Sequence, residues 1–271
     1  MNAMVGEQLS IVTSKAQTTR HRIFGIHTGE DYQMVFSDTP GVIDPEYPLQ
    51  EKMMRFVKAA LEDADLILYV VELGEKHQPN LLIDMVLGLG VPVKLVINKI
   101  DTGKGSQVED KVTYWKEMLP ELDIIPVSAL EMTNTNQLFE TIKEVLPPHP
   151  AYFPEDSITD KSERFFAAEI VREKIFLNYK KEVPYSCEVE IEEFKEDDNI
   201  IRIRALIYVE RNSQKGILIG KQGQALKKVG IEARQDMERF FQKKIHLETY
   251  VKVEKDWRKQ EKSLKRFGYA N

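Results

Sequence analysis

Four short apolar runs in the first half of the chain restrict its fold more than any other feature. They are “YQMVFSD” (32–38), “DLILYVVE” (65–72), “PVKLVIN” (92–98) and the weaker “DIIPVSA” (123–129). Helical patterns lie between them, among them “LQEKMMRFVKAALEDA” (49–64) and “NLLIDMVLGLG” (80–90). Strands that are apolar throughout and alternate with helices predict a parallel sheet covered on both faces. In a sheet of this kind the ligand site lies beyond the carboxyl ends of the strands.

The second half follows a different pattern, and a proline-rich stretch separates the two halves. “LPPHPAYFPEDSITD” (146–160) fits neither helix nor strand. We therefore predict a linker at residues 149–161 between a domain at 1–148 and a domain at 162–271. Beyond the linker come a helix (162–179), two alternating strands (185–194 and 200–210), a helical stretch (216–244) and a last strand (245–255). With a break inside the helical stretch, the order α-β-β-α-α-β predicts an α+β domain containing an antiparallel hairpin.

The charges are divided unevenly between the two halves. The formal net charge of −6 combines −9 in residues 1–150 (13 basic, 22 acidic) with +3 in residues 151–271 (25 basic, 22 acidic). Residues 210–271 alone hold 16 basic and 8 acidic side chains. This distribution favours a polyanion as the partner of the second domain, although a solvated helical surface gives the same count.

The composition disfavours several classes of protein. The single cysteine, Cys187, can form neither an internal disulfide nor a cysteine metal cluster, which fits a reducing cytosol. The five histidines lack metal-ligand spacing. Neither an apolar run of about 18 residues nor a secretory signal pattern occurs. We therefore expect a soluble, unexported, cytoplasmic protein.

The first motif follows the first apolar run. Asp38 stands at the end of the predicted strand and is followed by Thr39, Pro40 and Gly41. An aspartate at a strand end can hold the water shell of Mg²⁺ beside the phosphates of a nucleotide. Without a side chain, Gly41 lets its backbone N–H approach the terminal phosphate. Alone the motif is weak, because proline and glycine after a strand usually form only a turn.

Residues 98–101, Asn-Lys-Ile-Asp, follow the third run and are more specific. The Asp101 carboxylate can accept hydrogen bonds from N1 and N2 of guanine, a pattern that adenine lacks. The Asn98 amide braces the loop, and the stem of Lys99 covers the face of the base. In isolation these four residues are also typical of a helix N-cap or a turn. Together with the other strand-end motifs they predict a guanine-nucleotide site.

The motifs resemble those of the TRAFAC-class GTPases and, within them, the Era family. The resemblance rests on the motifs at 38–41 and 98–101, on Ser128-Ala129, and on the characteristic stretch “SKAQTTRHR” (14–22). It implies an α/β domain of the P-loop GTPase type with a parallel-rich sheet. It also implies GTP or GDP and Mg²⁺ as cofactors, with Ser128-Ala129 offering a backbone N–H to the base oxygen. The implied catalytic residues are Thr18, Thr19, Asp38 and Gly41. Of these, Thr18, Thr19 and Asp38 are also the implied metal residues, and Thr18 or Thr19 closes over Mg²⁺ and the γ-phosphate.

Two departures from the family pattern affect the expected activity. Val42 stands where Ras-type enzymes place a water-orienting glutamine. The resemblance supports a hydrophobic residue there, so backbone groups and a cation, with a monovalent ion as the candidate, position the water and turnover is slow. The second departure is that the sequence contains no Gly-x-x-x-x-Gly-Lys-[Ser/Thr]. In relatives this phosphate loop precedes the residues matching “MNAMVGEQLS” (1–10). We therefore expect an N-terminally shortened chain that lacks the first strand, binds GTP poorly and hydrolyses it negligibly.

The helical stretch of the second half contains Gly-Lys-Gln-Gly at residues 220–223. Two glycines around two polar residues allow a tight turn against a nucleic-acid backbone, while the adjacent apolar helix and strand form a groove for bases. A lone Gly-x-x-Gly is weak, but within α-β-β-α-α-β it resembles a type II KH domain. The candidate RNA contacts are Gly216, Ile217, Ile219, Gly220, Lys221, Gln222, Gly223, Ala225 and Lys228. For Ile217, Ile219 and Ala225 a plain core position is an equally good interpretation.

The resemblance implies a role in assembly of the small (30S) ribosomal subunit, with the 3′ end of 16S rRNA as the target and the protein acting as a monomer. The basic tail (252–269) either neutralises RNA phosphates or associates peripherally with the inner face of the cell membrane, and we favour RNA. An alternative from a different class is a nucleotide-independent KH RNA-binding protein with a degenerate GTPase domain. A KH-containing GTPase of the EngA type is a third candidate. It is weaker, because that group carries two GTPase domains in tandem and the motifs of this sequence indicate one.

Overall fold

The computed structural model describes residues 1–76 and 81–269. Contacts between residues divide the chain into two compact units. The first unit comprises Met1–Gln8, Phe24–Ser37 and Lys58–Thr159. The second comprises Leu9–Ile23, Asp38–Val57 and the chain from Asp160 onward. Two segments from the first half of the sequence therefore belong to the same unit as the chain from Asp160 onward.

The elements of the first half alternate between strands and helices. They are α1 (Asn2–Val5), β1 (Ile23–Thr28), β2 (Gln33–Asp38), α2 (Pro48–Glu62), β3 (Ile67–Glu72), α3 (Leu81–Leu87), β4 (Val93–Asn98), a 3₁₀ turn (Ile100–Thr102), α4 (Gly105–Met118), β5 (Asp123–Pro126) and α5 (Thr135–Lys143). The four predicted strands are confirmed as β2, β3, β4 and β5, the last ending three residues earlier than predicted. The helix predicted at 80–90 is present as α3, and its first predicted residue, Asn80, lies outside the described residues.

Strands β3, β4 and β5 form a parallel sheet with β4 in the middle. Successive residues of a strand point to opposite faces of its sheet. On β4, Leu95 accordingly packs with Trp115 of α4, whereas Val96 packs with Leu138 of α5. The prediction of a parallel sheet covered on both faces is confirmed for these strands.

The first predicted strand, β2, does not join the parallel sheet. It pairs with β1, which the sequence did not predict, and the two form a separate sheet. Four residues connect them, and Gly29 N donates a hydrogen bond to Tyr32 O at 2.9 Å. A connection this short favours pairing between sequence neighbours over pairing with a distant parallel strand.

Residues 149–161 form neither helix nor strand apart from a single bridge between Thr159 and Gly25. They are nevertheless fixed to the first unit. Gln33 Oε1 accepts from the backbone N of Tyr152 and of Phe153, each at 2.9 Å, and its Nε2 donates to Phe153 O at 2.9 Å. The predicted linker is therefore hydrogen-bonded to β1 and β2 along part of its length.

The second half of the chain has the order α-β-β-α-α-β. Its elements are α6 (Glu163–Asn178), a 3₁₀ turn (Pro184–Ser186), β6 (Glu188–Glu196), β7 (Ile200–Val209), α7 (Asn212–Ile219), a 3₁₀ turn (Lys221–Gly223), α8 (Gln224–Phe241), β8 (Lys244–Val253), a 3₁₀ turn (Trp257–Lys259) and α9 (Glu261–Arg266). β7 is the middle strand, antiparallel to β6 and parallel to β8. The predicted α+β domain with its antiparallel hairpin is confirmed.

Two local differences from the prediction have identifiable causes. The strand predicted from residue 185 begins at Glu188, because Pro184 starts a 3₁₀ turn before it. The helical stretch predicted at 216–244 begins earlier, at Asn212, and is split by the glycine-containing turn into α7 and α8.

The core of the second unit lies between one face of its sheet and helices α6 and α8. Val171 and Ile175 of α6 and Val229 and Ala233 of α8 are completely buried in this core. A second cluster joins Leu49 and Met53 of α2 to Trp257, Leu264 and Tyr269 near the C-terminus. Within the described residues, no helix is long and apolar enough to cross a membrane.

Candidate functional site

The base-recognition residues predicted from residues 98–101 lie in the first unit, at the carboxyl end of β4. Asn98 ends this strand, and Lys99 follows it with a left-handed backbone, at φ 63°. Asn98 Oδ1 accepts hydrogen bonds from Lys99 N at 2.8 Å and from Ala129 N at 3.1 Å. The Asn98 side chain therefore joins the loop after β4 to the loop after β5.

Asp101 lies in the 3₁₀ turn that follows, with its side chain exposed. Its Oδ1 accepts a hydrogen bond from Ser128 Oγ at 2.5 Å, and Ser128 is completely buried. Its second oxygen has no hydrogen-bond partner among the described residues. A carboxylate fixed on one side and open on the other suits the adjacent N–H donors of guanine. The structure thus brings Asn98, Asp101, Ser128 and Ala129 together. The backbone N–H groups of Ser128 and Ala129 donate to Thr133 O and to Asn98 Oδ1, so in this conformation neither is free for the base oxygen as predicted.

Sequence reasoning missed one partner of this group, Glu72 at the end of β3. Its Oε1 forms an ion pair with Lys99 Nζ. The register of the parallel sheet places Glu72 beside Asn98, and Leu73 N donates to Asn98 O at 2.9 Å. The sequence did hold a signal, because Glu72 ends a predicted strand and the ends of parallel strands meet at one edge of a sheet. A lone glutamate at a strand end, however, forms no recognisable motif.

The residues predicted to serve Mg²⁺ and the phosphates lie in the second unit. Asp38 ends β2, and its Oδ2 accepts a hydrogen bond from Ser10 Oγ at 2.6 Å. Pro40 is buried, whereas Thr39 is half-buried and Gly41 is exposed. A Cβ added to Gly41 would meet no atom within 4 Å. Packing therefore does not require a glycine at position 41 in this conformation, and the backbone approach to a phosphate stays a prediction.

Thr18 and Thr19 lie in the segment Leu9–Ile23, which packs within the second unit. Thr18 O accepts a hydrogen bond from Arg172 Nη2 of α6. Within the described residues neither threonine hydroxyl has a hydrogen-bond partner, and their predicted role toward Mg²⁺ stays a prediction. The predicted site residues are therefore divided between the units, with the base-recognition group in the first and Thr18, Thr19, Asp38 and Gly41 in the second.

The candidate RNA contacts surround the turn between α7 and α8. Gly220 has φ 70° and ψ −179°, Gln222 has φ 51° and Gly223 has φ 76°. A Cβ on Gly220 would lie 2.6 Å from the Cβ of Ala225. Glycine at 220 is therefore required both by its backbone conformation and by the close approach of α8.

Around this turn, the side chains differ in exposure. Lys221 and Gln222 are exposed at its tip, and Ile217 is 51% exposed on α7. Ile219 and Ala225 are half-buried against the core. Lys228 is exposed, and its Nζ lies 3.7 Å from Oε1 of Glu232 in the same helix. The core interpretation therefore fits Ile219 and Ala225 better than Ile217, and Gly216 is exposed as well.

The sequence also matches known proteins. A family model described as 50S ribosome-binding GTPase matches residues 1–99, and one described as KH domain matches residues 182–258. GTPase Era of Geobacter metallireducens is 42% identical over 274 residues, which cover 100% of this chain and 92% of that protein. The chain belongs to the Era family of GTPases. The Era resemblance found in the motifs is thus confirmed over the full length.

Solved Era structures match the whole fold. An Aquifex aeolicus Era variant bound to GDP.AlF4⁻ has a TM-score of 0.95 and 39% identity, covering 100% of this chain and 93% of that chain. A structure of Era in complex with MgGDPNP and nucleotides 1506–1542 of 16S ribosomal RNA has a TM-score of 0.94, with the same identity and coverage. The predicted fold class, a P-loop-type GTPase domain followed by a KH domain, is confirmed.

Proposed function

We propose that this Era-family chain binds guanine nucleotides with Mg²⁺, hydrolyses GTP and binds the 3′ end of 16S rRNA in assembly of the small ribosomal subunit. One observation carries the proposal: an Asp101 carboxylate held on one side and open to the N–H donors of guanine, and an exposed Gly-x-x-Gly turn, occur in the same chain. The solved Era complex that holds both MgGDPNP and 16S rRNA supports it, because it matches this chain over its full length.

In this proposal the nucleotide residues have separate roles. Asp101 accepts from the guanine N–H groups and is held by Ser128, while Asn98 keeps the two loops together. Asp38 orients the water shell of Mg²⁺, and Thr18 or Thr19 supplies a hydroxyl ligand. Bound Mg²⁺ would neutralise charge on the phosphates.

Competition binding tests the guanine site. Fluorescent GDP should be displaced by GDP and not by ADP. Asp101→Asn should weaken GDP binding and favour XDP, because the amide supplies a donor where xanthine carries an oxygen. Asp110→Asn, at an exposed position of α4, is the matched control. Equal displacement by ADP and GDP would reject this part of the proposal.

We further propose that nucleotide binding by these 271 residues is weak and hydrolysis slow. The sequence contains no Gly-x-x-x-x-Gly-Lys-[Ser/Thr], the motif whose backbone N–H groups and lysine surround the phosphates. Tight, Mg²⁺-dependent binding of fluorescent GDP would contradict this point without affecting the RNA proposal.

Fluorescence anisotropy with labelled single-stranded RNA tests the second activity. The probe is the 3′ end of 16S rRNA, compared with a scrambled RNA of the same composition. The double substitution Lys221→Asp and Gln222→Asp places two negative charges on an exposed turn without touching the core. It should weaken binding by at least about tenfold, because a KH turn contacts the RNA backbone. Lys116→Asp, at an exposed position of α4, should leave affinity unchanged.

The choice of subunit rests on the Era complex with 16S rRNA rather than on the family description that mentions 50S. That description belongs to a model covering only residues 1–99, whereas the Era complex matches 100% of the chain. Sedimentation with purified subunits distinguishes the two. Co-sedimentation with 30S supports the proposal, and co-sedimentation with 50S alone contradicts it.

A second candidate is a KH RNA-binding protein that acts without nucleotide. The absence of a phosphate-loop motif favours it, whereas the assembled base-recognition group favours the first proposal. RNA affinity measured with and without GTP and Mg²⁺ separates the two, because only a nucleotide-coupled protein should change its affinity.

We also propose that the protein is a cytoplasmic monomer and that its lysine-rich C-terminal segment allows peripheral association with the inner face of the cell membrane. Lys255, Lys259, Lys262 and Lys265 are exposed there and suit an anionic lipid surface. Flotation with vesicles containing phosphatidylglycerol, compared with phosphatidylcholine alone, tests the membrane association.

A further inference from the structure

Tyr179 stands directly after α6 and contacts the end of α7 with its side chain. The residue is buried, and its hydroxyl donates a hydrogen bond to Leu218 O at 2.6 Å. Leu218 is two positions before Gly220, where the Gly-x-x-Gly turn begins. The carbonyl of Leu218 lies in the last turn of α7, where helix carbonyls lack partners within the helix. The phenol therefore holds the end of the helix that leads into the candidate RNA-contact turn.

The backbone of Tyr179 makes a second, independent connection. Its carbonyl accepts a hydrogen bond from Lys15 Nζ, which also donates to Phe176 O in the last turn of α6. A lysine is stabilised at a helix C-terminus because the last carbonyls are unpaired and carry partial negative charge. Lys15 belongs to the segment Leu9–Ile23, which carries Thr18 and Thr19.

Other contacts hold the same segment along α6. Val12 N donates to Glu173 Oε1 at 3.2 Å, and Arg172 Nη2 donates to Thr18 O. The segment is thus attached at successive turns of α6, and Lys15 lies closest to the end where Tyr179 stands. Movement of the segment would act on Tyr179 through Lys15.

We propose that Tyr179 is a positioning residue that links the threonine-containing segment to the RNA-contact turn. The inference rests on the proposed RNA-binding function. With Lys15 in place, the end of α6 is fixed, the Tyr179 phenol holds the Leu218 carbonyl, and the turn is ordered for RNA. When the segment moves and Lys15 leaves, the end of α6 loosens and the turn loses this support.

The Tyr179 phenol remains a hydrogen-bond donor over the pH range in which the protein would act. Burial raises the pKa of Tyr179 to about 12, with the neighbouring Cys187 contributing in the same direction. The bond to Leu218 therefore persists under ordinary conditions, and the link is modulated by the position of Lys15 rather than by titration of the tyrosine.

A double-mutant cycle tests the link. Affinity for the labelled 3′ end of 16S rRNA is measured for the wild type, Lys15→Met, Tyr179→Phe and the double variant. Each single substitution should weaken binding about fivefold, a typical magnitude for coupling between sites. Lys15→Met should have no further effect in the Tyr179→Phe background, because the link is already broken. Independent, multiplicative effects would overturn the proposal.

The control is Lys180→Met, which removes the same charge one position from Tyr179. Lys180 is exposed and has no ionic or hydrogen-bond partner in the described part of the chain. Its substitution should change affinity far less than Lys15→Met. An equal loss would show that general charge, and not contact with the Tyr179 carbonyl, controls RNA binding, and would also overturn the link.

Amide hydrogen exchange gives a readout that does not depend on RNA. Lys15→Met should increase exchange at residues 219–223 when Tyr179 is present, but not in the Tyr179→Phe background. Exchange in β7 should stay unchanged in both. Failure of the wild type to bind RNA would reject the proposed function. Binding of RNA with multiplicative effects of the two substitutions, or with unchanged exchange at the turn, would reject only the link.

Discussion

Arg20 Nη1 lies 3.0 Å from Glu188 Oε2, and both side chains are almost completely buried. The guanidinium also donates to Cys187 O at 2.7 Å and to Tyr185 O at 2.8 Å. The same carboxylate oxygen accepts from the Tyr269 hydroxyl at 2.7 Å. Burial alone raises the pKa of Glu188, but Arg20 and Arg172 outweigh it and hold that pKa below its usual value. The segment Leu9–Ile23 is therefore joined to β6 and to the C-terminus by a charged, hydrogen-bonded network.

Removing one partner of this pair should be strongly destabilising. Arg20→Met removes the ion-pair partner of the buried Glu188 carboxylate, so we expect the free energy of unfolding to fall by about 3 kcal/mol. Urea unfolding monitored by tryptophan fluorescence measures it, because Trp257 is buried beside Arg20.

The double variant Arg20→Met with Glu188→Met separates pairing from packing. It should lose less stability than Arg20→Met alone, because no isolated charge remains. Lys259→Met, at an exposed position, is the control and should change stability by less than about 0.5 kcal/mol. A double variant that loses the sum of both single effects would contradict the pairing argument.

His21 should make the stability of the second unit depend on pH. Its ring is stacked on Tyr269 with centroids 4.3 Å apart. Its pKa is lowered from 6.5 to about 4, mainly by burial; Glu188 and Glu169 oppose the shift, and Arg172 and Lys161 add to it. As the pH falls from 6.5 towards 4, the unfolded chain takes up a proton that the folded chain does not. Stability contributed by neutral His21 is therefore present above about pH 6.5 and is lost progressively below it.

Between about pH 6.5 and about pH 4, the free energy of unfolding of the wild type should fall by roughly 2 to 3 kcal/mol more than that of His21→Phe. The phenylalanine keeps a ring at this position but cannot titrate. Chemical unfolding at a series of pH values measures the difference between the two proteins. His149→Phe, which removes an exposed imidazole, is the control. Parallel pH curves for the wild type and His21→Phe would refute the assignment.

The alternation of the first half and the α-β-β-α-α-β order of the second could be predicted because their signals are local. β4 is buried on both faces, so its run is apolar apart from Lys94 and the terminal Asn98, and Gly220 marks a turn because its conformation excludes a side chain. The proximity of Asn98 to Ala129 could be predicted as well, because neighbouring parallel strands end at the same edge of a sheet.

The position of the segment Leu9–Ile23 could not be predicted. Arg20 bonds Glu188, 168 positions along the chain, and Lys15 bonds Tyr179, 164 positions along. Periodicity describes which face of one element is buried and carries no information about which distant carboxylate or carbonyl a cation meets. The pairing of β2 with β1 was missed for a related reason, because β1 carries no continuous apolar run.

The glycines before and within the RNA-contact turn should respond differently to substitution. Gly220→Ala forces a side chain into a positive φ and against Ala225, so we expect a loss of about 2 kcal/mol of stability. Gly216 lies in α7 with open space around it, so Gly216→Ala should be neutral or stabilising by up to about 1 kcal/mol. Thermal and urea unfolding of both variants measure this, and equal losses would contradict the geometry.

The C-terminal segment is a folded part of the second unit rather than a free basic arm. Trp257 and Leu264 are completely buried, and Trp257 Nε1 donates to Ser186 O at 2.9 Å. Cutting the tail, the obvious way to remove its charge, would therefore remove core residues as well. Point substitution of its exposed lysines is the informative experiment.

The triple variant Lys259→Met, Lys262→Met and Lys265→Met should lower the salt dependence of RNA binding and leave base preference unchanged. Each lost phosphate contact reduces the slope of log affinity against log salt by about 0.7 for single-stranded RNA, so three contacts reduce it by about 2. Titrations between about 50 and 200 mM salt measure the slope, and a set of variant RNA sequences measures base preference.

Phosphate contacts position the protein without reading sequence, so a changed base preference would show that these lysines reach the bases. An unchanged slope would show instead that this face of the C-terminal segment does not meet RNA, leaving the lysines near the Gly-x-x-Gly turn as the source of the phosphate contacts.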